Sequence, residues 1–563
     1  MVYSTKPWLK SYKLGPYTLD HSLAPYPDIP VFQVLEDAVE KYPGQTAVYF
    51  LGRAINYAQL NTRVSKLACA LAALGIEKGD RVCVYLPNCP EFIISDWAIQ
   101  MAGAAIVPTS ILRTPEGLLH EANTSSSKII ICQEAQLEPV LGVADQCDLE
   151  HVIVTSNAGY DLEPVSKKHP KNAHDFRTLL DDYEPTPPPV EINPQEDLCE
   201  LSFTGGATGV PKGVMITHAN RLSCLFQGLP WVLKPLIKGF AGKASVLIAI
   251  PLFHSYGHFT HQSAALLGLR LLVLPDPRDS DLMIEYINKF RPLFIPAVPT
   301  QLMRIADAKL SRMNTLLWSG AAPLPNEVGQ AIKRKIGMPV SQAYGLTETS
   351  PVTHFNVSSF SKITGFMSQE KYGIGIPTPD TECLLLDIES GEQVPIGKPG
   401  EIVVRGPQVM KGYWPEPGSG LTEDGWLHTG DIGIMDQDGY FQVVDRTKDM
   451  VNISGMKVYT TTVDEVLYQH PGVMMAAAFG IPDPENPASE RVMAVIQPKP
   501  DLLGHLTEDE IREFCSAKLP PYAVPRFIEF KEQLPLTVTE KVFKRALRDE
   551  ALRKFGLANQ GIL

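Results

Sequence analysis

Apolar residues in the first part of the chain follow two spacings in turn. Leu60, Val64, Leu67 and Leu71 recur at helical intervals, and the short apolar run RVCVYLP follows them at 81–87. The same order returns further on, where a helical pattern precedes each of the strand-like runs AAIVPTS, KIIICQE and HVIVTS. This alternation is typical of repeated βαβ units around a parallel sheet. We therefore predict a doubly wound α/β architecture for this part.

Proline and polar residues interrupt the pattern at 184–197, EPTPPPVEINPQED, and predict a surface connector. Alternation then resumes at LLVLP, and the segments TECLLLD, GEIVVRGP and GYFQVVD predict a more β-rich unit. From about Arg446, shorter helical and strand-like segments predict a small α+β unit. The predicted fold class is α/β, with a large N-terminal domain (1–446) of several subdomains, doubly wound sheets and a β-rich unit, and a small α+β C-terminal domain (447–563).

Composition and charge narrow the class of protein. The 563 residues are 44% hydrophobic and 20% charged, which is the ordinary range for a folded globular chain. With 63 acidic and 50 basic residues the formal charge is −13, so the long-range field repels phosphate backbones. We expect no nucleic-acid partner.

Targeting signals and cysteine pairs are not evident. The nine cysteines show no C-x-x-C spacing, and we interpret them as reduced, mostly buried side chains. The longest apolar runs are too short to span a bilayer. These features predict a cytoplasmic protein, and they leave peripheral membrane contact and a monomer or a homodimer open.

The segment LSFTGGATGVPKGVMITH contains a candidate phosphate-binding loop. It places four glycines, a proline and a lysine between Thr204 and Gly213. Glycines let backbone N–H groups turn toward an anion, and the hydroxyls of Thr204 and Thr208 and the ammonium of Lys212 add donors. The run is not a Walker A loop, because Pro211 precedes the lysine and Gly213 follows it. On glycine content alone, a flexible surface turn is the alternative.

The run TGGATGVPKG resembles the phosphate loop of the acyl-adenylate-forming superfamily, whose pattern is T-S-G-T-T-G-x-P-K-G. This superfamily includes acyl-CoA synthetases, luciferases and adenylation domains of peptide synthetases. Gly205 and Ala207 depart from the pattern, so two hydroxyls are missing. Further motifs of the family follow in its order, up to about Arg548: PLFHSYG, SGAAP, QAYGLTETSP, GEIVVRGPQVMKGYW, GWLHTGDIG, VVDRTKDMVNISGMKV and LPLTVTEKVFKRALR.

The resemblance implies roles for the nucleotide-binding residues. Tyr344 would stack on adenine, Thr347 would donate to the α-phosphate, and Glu348 would help to hold magnesium. Asp431 and Arg446 would contact the ribose. The other residues expected to contact ATP or AMP are Thr204, Gly205, Gly206, Thr208, Gly209, Lys212, Gly320, Ala321, Ala322, Pro323, Gln342 and Gly345.

Two further positions bear on the substrate carboxylate. His254, in PLFHSYG, resembles the family's histidine beside this group, although a structural histidine is the alternative. Lys541 resembles the lysine that catalyses adenylation, where a flexible point charge can stabilise charge that develops at the α-phosphate. Glu540 stands where the family usually has glycine. A glutamate there could restrict the loop or weaken the positive field.

The resemblance also implies a second conformation. Lys448 matches the hinge about which the mobile C-terminal domain rotates between two half-reactions. Thr460 and Thr462 replace the usual proline and glutamate. The residues expected to meet CoA in the second conformation are Ser454, Gly455 and Lys457.

The implied reaction is acid–thiol ligation with ATP, Mg²⁺ and coenzyme A. A carboxylic acid, a small-molecule substrate, is first adenylated, and its acyl group is then transferred to CoA. A medium- or long-chain fatty acid is the predicted substrate. The alternatives are an aryl-CoA (4-coumarate-like) ligase, an amino-acid adenylating enzyme, a luciferase-like oxidase and a non-catalytic binding module. PLFHSYG has no acidic residue to hold a substrate ammonium, and the non-catalytic reading is disfavoured because Lys541 and Glu348 are both present.

Overall fold

A computed structural model describes residues 3–166, 170, 172–204, 210–310, 312–365, 370–483, 486–537 and 540–557. The helices of these residues are α1 Gln33–Lys41, α2 Tyr57–Ala73, α3 Pro90–Met101, α4 Pro115–Ser125, α5 Leu137–Ala144, α6 Phe176–Asp182, α7 His218–Gln227, α8 Leu229–Val232, α9 Ser255–Leu266, α10 Ser280–Phe290, α11 Pro299–Asp307, α12 Asn326–Ile336, α13 Val357–Phe360, α14 Thr460–Tyr468, α15 Glu508–Ser516 and α16 Lys544–Lys554.

The strands are β1 Lys13–Leu14, β2 Tyr17–Thr18, β3 Thr46–Phe50, β4 Arg53–Asn56, β5 Arg81–Tyr85, β6 Ala105–Pro108, β7 Ile129–Gln133, β8 His151–Thr155, β9 Ala173–Asp175, β10 Leu198–Thr204, β11 Lys212–Thr217, β12 Ser245–Ile248, β13 Arg270–Val273, β14 Phe294–Ala297, β15 Leu316–Ser319, β16 Val340–Tyr344, β17 His354–Phe355, β18 Ile376–Pro377, β19 Glu382–Leu386, β20 Gly400–Arg405, β21 Gly412–Tyr413, β22 Glu416–Pro417, β23 Leu427–Met435, β24 Phe441–Arg446, β25 Val451–Ile453, β26 Met456–Val458, β27 Val473–Asp483, β28 Asn486–Pro498 and β29 Phe527–Phe530.

The first large sheet has the strand order β22-β21-β11-β10-β6-β5-β7-β8-β9. Its central strands β6, β5, β7 and β8 run parallel and are almost wholly buried, as expected where helices cover both faces. The pair β10 and β11 is antiparallel, so the candidate phosphate loop connects a hairpin rather than a strand and a helix. The doubly wound pattern predicted for this region is confirmed.

The second large sheet has the order β18-β17-β16-β15-β14-β12-β13-β3-β4. Strands β12 to β16 come from residues after the proline-rich connector, yet the early hairpin β3 and β4 completes the sheet by pairing β3 with β13. This long-range pairing joins the two halves of the N-terminal region. The carboxyl ends of β14, β15 and β16 therefore lie at one edge of a continuous parallel sheet, the position where open α/β sheets bind ligands.

Two smaller β units follow. Strands β19, β20, β23 and β24 form an antiparallel four-stranded sheet, which confirms the predicted β-rich unit. The connector 184–197 contains no helix or strand. In the last part of the chain, β27, β28 and β29 form a three-stranded sheet that packs with α14 and α16.

The buried apolar side chains divide along the chain. One cluster draws on residues from Tyr3 to Phe441, and another draws on residues from Val451 to Ile528. A smaller cluster around Phe479 and Leu547 touches Met303 of α11, so the C-terminal segment also packs on the N-terminal region. Among the described residues, no helix has the length and apolar character needed to cross a bilayer.

Candidate functional site

The phosphate-loop hairpin is connected through Tyr413 to Glu348, the carboxylate expected to bind the metal. Thr204 pairs with Lys212 across β10 and β11, and Gly205, Gly206, Thr208 and Gly209 lie outside the described residues. The Lys212 ammonium lies 5.1 Å from the ring centroid of Tyr413, whose hydroxyl donates to Glu348 Oε1 at 2.9 Å. Tyr413 thus contacts the loop lysine and the candidate metal ligand together. The motif GYW was noted in the sequence, but this role for its tyrosine was missed.

The adenylate motif begins in strand β16 and continues into the turn that contains Glu348. A Cβ on Gly345 would lie 1.9 Å from the carbonyl oxygen of Pro351, so only glycine fits between the strand and the following turn. The next residues form a 3₁₀ turn, in which the Thr347 hydroxyl lies 3.3 Å from that of Ser255. The N–H of Met410 donates to the carbonyl of Glu348 at 2.8 Å and fixes the turn from the other side.

The expected ribose contacts form a hydrogen-bonded group. The Tyr344 hydroxyl donates to Asp431 Oδ2 at 2.7 Å, and Arg446 Nε donates to Asp431 Oδ1 at 2.8 Å. Burial and the Asp431 carboxylate raise the pKa of Tyr344, so its hydroxyl stays protonated. Each carboxylate oxygen has a second lone pair, so Asp431 can still accept from the hydroxyls of a nucleotide.

The loop SGAAP follows β15 at the same sheet edge. Gly320 donates to the carbonyl of Ala297 at 3.2 Å, and a Cβ on Gly320 would approach the Tyr256 ring to 3.1 Å. Ala321 has φ of 71°, and Ala322 and Pro323 follow it. Gln342 lies opposite Ser319 in the neighbouring strand β16. The sheet therefore places this loop next to the adenylate motif.

Lys541 from the C-terminal segment reaches this edge. Burial lowers the pKa of Lys541 to about 8, with Arg446 lowering it further and Asp431 opposing. His254 precedes α9 and accepts from the N–H of Tyr256 at 3.3 Å, and burial together with Lys541 lowers its pKa to about 3. Lys541 thus lies among Arg446, Asp431 and a neutral His254.

The residues expected to bind CoA have contacts that do not involve Lys541. Ser454 and Gly455 form the turn between β25 and β26 with φ of 51° and 88°, and Ser454 N donates to Ser489 at 3.1 Å. Lys457 pairs with Glu389 at 2.8 Å on the exposed surface. Lys448 lies in the turn between β24 and β25. The structure does not bring these residues to Lys541.

One of the two threonine departures has a local explanation. Thr460 Oγ1 donates to Asp445 at 3.2 Å and accepts from Lys544 at 3.0 Å, so it links β24, α14 and α16. The N–H of Thr462 donates to the carbonyl of Tyr459 at 3.1 Å in the first turn of α14. The side chain of Thr460 thus has a structural role, whereas the backbone bond of Thr462 does not depend on its side chain and the structure does not explain that substitution.

A buried charged network beneath the site was missed from sequence. His258 contacts Asp96 at 2.9 Å through Nε2 and Glu200 at 3.0 Å through Nδ1, and Glu200 is paired with Arg221. Arg221 also donates to the carbonyl of Ser350 at 2.6 Å. We call Asp96, Glu200, Arg221 and His258 the buried charge network. It connects the strand of the phosphate loop, the helix after His254 and the adenylate motif.

The charges of this network balance. Burial lowers the pKa of His258, but Asp96 and Glu200 outweigh burial and raise it to about 9. Burial raises the pKa of Glu200, but Arg221 and then His258 lower it to about 2. Two carboxylates therefore face two cations. The sequence did contain a signal for the two carboxylates, because Asp96 and Glu200 lie within the apolar segments PEFIISDWAIQ and LCELSF.

This network corrects one step of the substrate argument. The motif PLFHSYG has no acidic residue, but the fold brings the carboxylates of Asp96 and Glu200 to the helix that follows it. Both are already matched by His258 and Arg221, so neither is left for a substrate ammonium. An amino acid thus remains disfavoured because the nearby charges balance, and not because carboxylates are absent.

Two family profiles match the chain. The AMP-binding enzyme family matches residues 35–414, and the AMP-binding enzyme C-terminal domain matches residues 462–541. The first match covers more than half of the chain, which therefore belongs to the AMP-binding enzyme family. The resemblance drawn from the motifs is confirmed.

Curated relatives align over almost the whole length. The long-chain-fatty-acid–CoA ligase of Bacillus subtilis (strain 168) is 33% identical over 576 residues, which cover 98% of this chain and 99% of the relative. The feruloyl-CoA synthase of Amycolatopsis sp is 34% identical over 526 residues, covering 91% and 96%.

Solved structures share the fold. The anthranilate CoA ligase AuaEII in complex with anthranoyl-AMP has a TM-score of 0.83 at 23% identity and covers 94% of this chain and 98% of its own. ATP-bound MatB from Rhodopseudomonas palustris has a TM-score of 0.81 at 24% identity, covering 94% and 100%. The predicted fold class is confirmed.

Proposed function

We propose that the chain is an ATP-dependent acid–CoA ligase. It would form an acyl-adenylate and pyrophosphate from a carboxylic acid and ATP, and then transfer the acyl group to the thiol of CoA with release of AMP. The observation that carries this proposal is the position of Lys541, which is buried and close enough to the hydrogen-bonded pair Asp431 and Arg446 and to His254 for their charges to interact. A carboxylate needs such activation because its leaving group would otherwise be oxide.

The roles of the site residues follow from their positions. Lys541 would contact the carboxylate and the α-phosphate, where its positive charge stabilises the charge that develops during adenylyl transfer. Asp431 and Arg446 would hold the ribose, and Tyr344 the adenine. His254 is neutral at pH 7, so it can donate or accept a hydrogen bond beside the acid without adding charge.

A magnesium ion fits the donors around Glu348. Mg²⁺ keeps several waters and usually takes one or two carboxylates together with phosphate oxygens, and Glu348 supplies one carboxylate next to the hydroxyl of Thr347. Its Oε1 is held by the Tyr413 hydroxyl at 2.9 Å. When bound, the ion would neutralise phosphate charge during the first half-reaction.

The second half-reaction requires a different arrangement of the C-terminal segment. Ser454, Gly455 and Lys457 would bind the CoA pantetheine after a rotation about Lys448, and we place the border between the two domains at 446/447. The separate apolar clusters before and after this point support that border. A cytoplasmic location, peripheral membrane contact, and a monomer or homodimer stay predictions.

A medium- or long-chain fatty acid is the proposed substrate. The support is the near-full-length similarity to relatives named long-chain-fatty-acid–CoA ligase. An aryl acid is the second candidate, because the feruloyl-CoA synthase of Amycolatopsis sp is similar at 34% identity.

A panel of acids tests the proposal. AMP and thioester are measured with ATP, Mg²⁺ and CoA for acids from acetate to palmitate, for benzoate, cinnamate and ferulate, and for several amino acids, with reactions lacking CoA as controls. Each buried methylene contributes about 0.8 kcal/mol, so we expect activity to rise with chain length until the pocket ends. Preference for ferulate would replace the fatty acid by an aryl acid, and no thioester from any acid would refute the ligase.

A further inference from the structure

The residue before Lys541 contacts the N-terminal region directly. Glu540 Oε1 accepts from Arg304 Nη2 of α11 at 2.6 Å, and the Glu540 carbonyl accepts from the Thr300 hydroxyl of the same helix at 3.1 Å. Glu540 is only 5% exposed. A side-chain contact and a backbone contact of one residue therefore hold the lysine loop against one helix.

Hydrogen bonds also connect Glu540 and Lys541 to Thr537. The N–H of Glu540 donates to the Thr537 carbonyl at 2.9 Å, and the N–H of Lys541 donates to the Thr537 hydroxyl at 3.1 Å. The N–H of Thr537 donates to the Lys541 carbonyl at 2.7 Å. These hydrogen bonds fix the backbone of Lys541 relative to that of Glu540.

The backbone at this position favours glycine, yet the chain has a glutamate. Glu540 has φ of 56°, a left-handed conformation that is strained for a residue with a side chain and not for glycine. Burial raises the pKa of the Glu540 carboxyl, and Arg304 opposes this by lowering it. The ion pair offsets part of the burial cost, and the Glu540 carboxylate is directed to Arg304 rather than to Lys541.

We propose that Glu540 is a positioning residue for adenylation. Through Arg304 and Thr300 it anchors the loop of Lys541 to α11, and this anchor has to separate before the C-terminal domain takes up its second arrangement. The inference rests on the proposed function, because it assigns Glu540 to the first of the two half-reactions. The anchor holds Lys541 among Asp431, Arg446 and His254.

Four variants separate positioning from general stability. Glu540→Gln and Arg304→Gln each break the ion pair, their combination removes both charges, and Glu550→Gln is the matched control. Glu550 pairs with Lys531 at 2.6 Å within the C-terminal segment, so Glu550→Gln removes an ion pair of the same length, although a more exposed one, without touching α11. Acyl-adenylate formation is measured from acid and ATP, and thioester formation from supplied acyl-adenylate and CoA.

We expect each single variant to slow acyl-adenylate formation by about tenfold through kcat, because Lys541 loses its fixed position. Thioester formation should be unchanged or faster, and the double variant should be no slower than the worse single variant, since the two residues act as one unit. Glu550→Gln should match the unaltered chain. Equal losses in both half-reactions, or unchanged adenylation, would overturn the proposal.

Hydrogen exchange gives a readout that does not depend on activity. We expect Glu540→Gln to increase exchange in α11 and in residues 540–547, whereas Glu550→Gln leaves both unchanged. Unchanged exchange in Glu540→Gln would refute the anchor even in an active enzyme. An unaltered chain that forms no acyl-adenylate would refute the proposed function, while the exchange result still decides whether the anchor exists.

Discussion

The charges beneath the site and the charges at its open edge are arranged in opposite ways. In the buried charge network, Glu200 and Asp96 face Arg221 and His258, and every one of these side chains is at most 1% exposed. At the edge, Arg446 is paired with Asp431, and Lys541 is close enough for the charges of both residues to shift its pKa. Lys541 comes from a segment with its own apolar cluster.

This difference indicates that the buried charge network stabilises the fold, whereas the charges at the edge interact with ligands. The balanced network ties together elements of one region and leaves no net charge to interact with a ligand. The edge has an excess of positive charge, which an ATP phosphate and a substrate carboxylate can neutralise. We expect changes in the network to act mainly on stability, and changes at the edge to act mainly on one half-reaction.

Breaking the network should have the largest effect. Arg221→Met leaves the buried Glu200 with His258 as its remaining charged partner in the network. Removal of one partner of a buried ion pair costs about 3–5 kcal/mol in the free energy of unfolding. Urea unfolding measures this loss, with Arg545→Met on the exposed face of α16 as the control, since its side chain is 70% exposed. A loss no larger than that of the control would contradict the balanced network.

The next effect is a decrease of stability with rising pH. The folded-state pKa of His258 is raised to about 9 from 6.5, so its contribution is fully present below pH 6.5 and is lost as the pH rises through 9. The shift corresponds to about 3 kcal/mol, which unfolding experiments between these pH values can detect. His258→Gln should remove this dependence, and a slope that persists in the variant would assign it to another group.

At the edge, pH should change the rate instead. Lys541 must be protonated to stabilise phosphate charge, and its pKa is lowered to about 8, so kcat/KM for adenylation should fall above that pH. At pH 9 the protonated fraction of the free enzyme is about one tenth. Lys541→Arg, which stays charged, should abolish the fall, although its activity is lower. A profile that is flat to pH 10 would exclude this titration.

The smallest expected effect concerns the metal. Glu348→Gln removes the single carboxylate at the turn and should raise the Mg²⁺ concentration needed for half-maximal adenylation by severalfold, about 1 kcal/mol. Tyr413→Phe, which removes the hydrogen bond to Glu348 Oε1 and keeps the ring beside Lys212, should shift it less. An identical magnesium titration in all three proteins would remove Glu348 from the metal site.

Contacts between residues of specific sequence motifs could be predicted from the sequence. Contacts that depend on the packing of distant segments could not. Tyr344, Asp431 and Arg446 were named together because their motifs are specific, and their hydrogen bonds bring them together. Alternation of apolar residues likewise predicted the strands of the first sheet. Both signals are local, so they do not depend on knowing which elements are neighbours.

Partners far apart in the chain could not be predicted in this way. Arg304 and Glu540 are separated by 236 positions, and neither lies in a periodic pattern that points to the other. The pairing of β3 with β13, which joins residues 48 and 271, could not be predicted for the same reason. A buried charge in an apolar run signals that a partner exists, but only the packed structure identifies it.

The most direct test of the central claim separates the two half-reactions in Lys541→Ala. Removal of a preorganised charge should slow acyl-adenylate formation by about 100-fold or more, while thioester formation from supplied acyl-adenylate and CoA stays largely intact. Both rates are measured on one preparation, with Lys554→Ala, whose side chain is 62% exposed, as the control. Equal losses in the two half-reactions would contradict the claim that Lys541 enters this site to activate the acid.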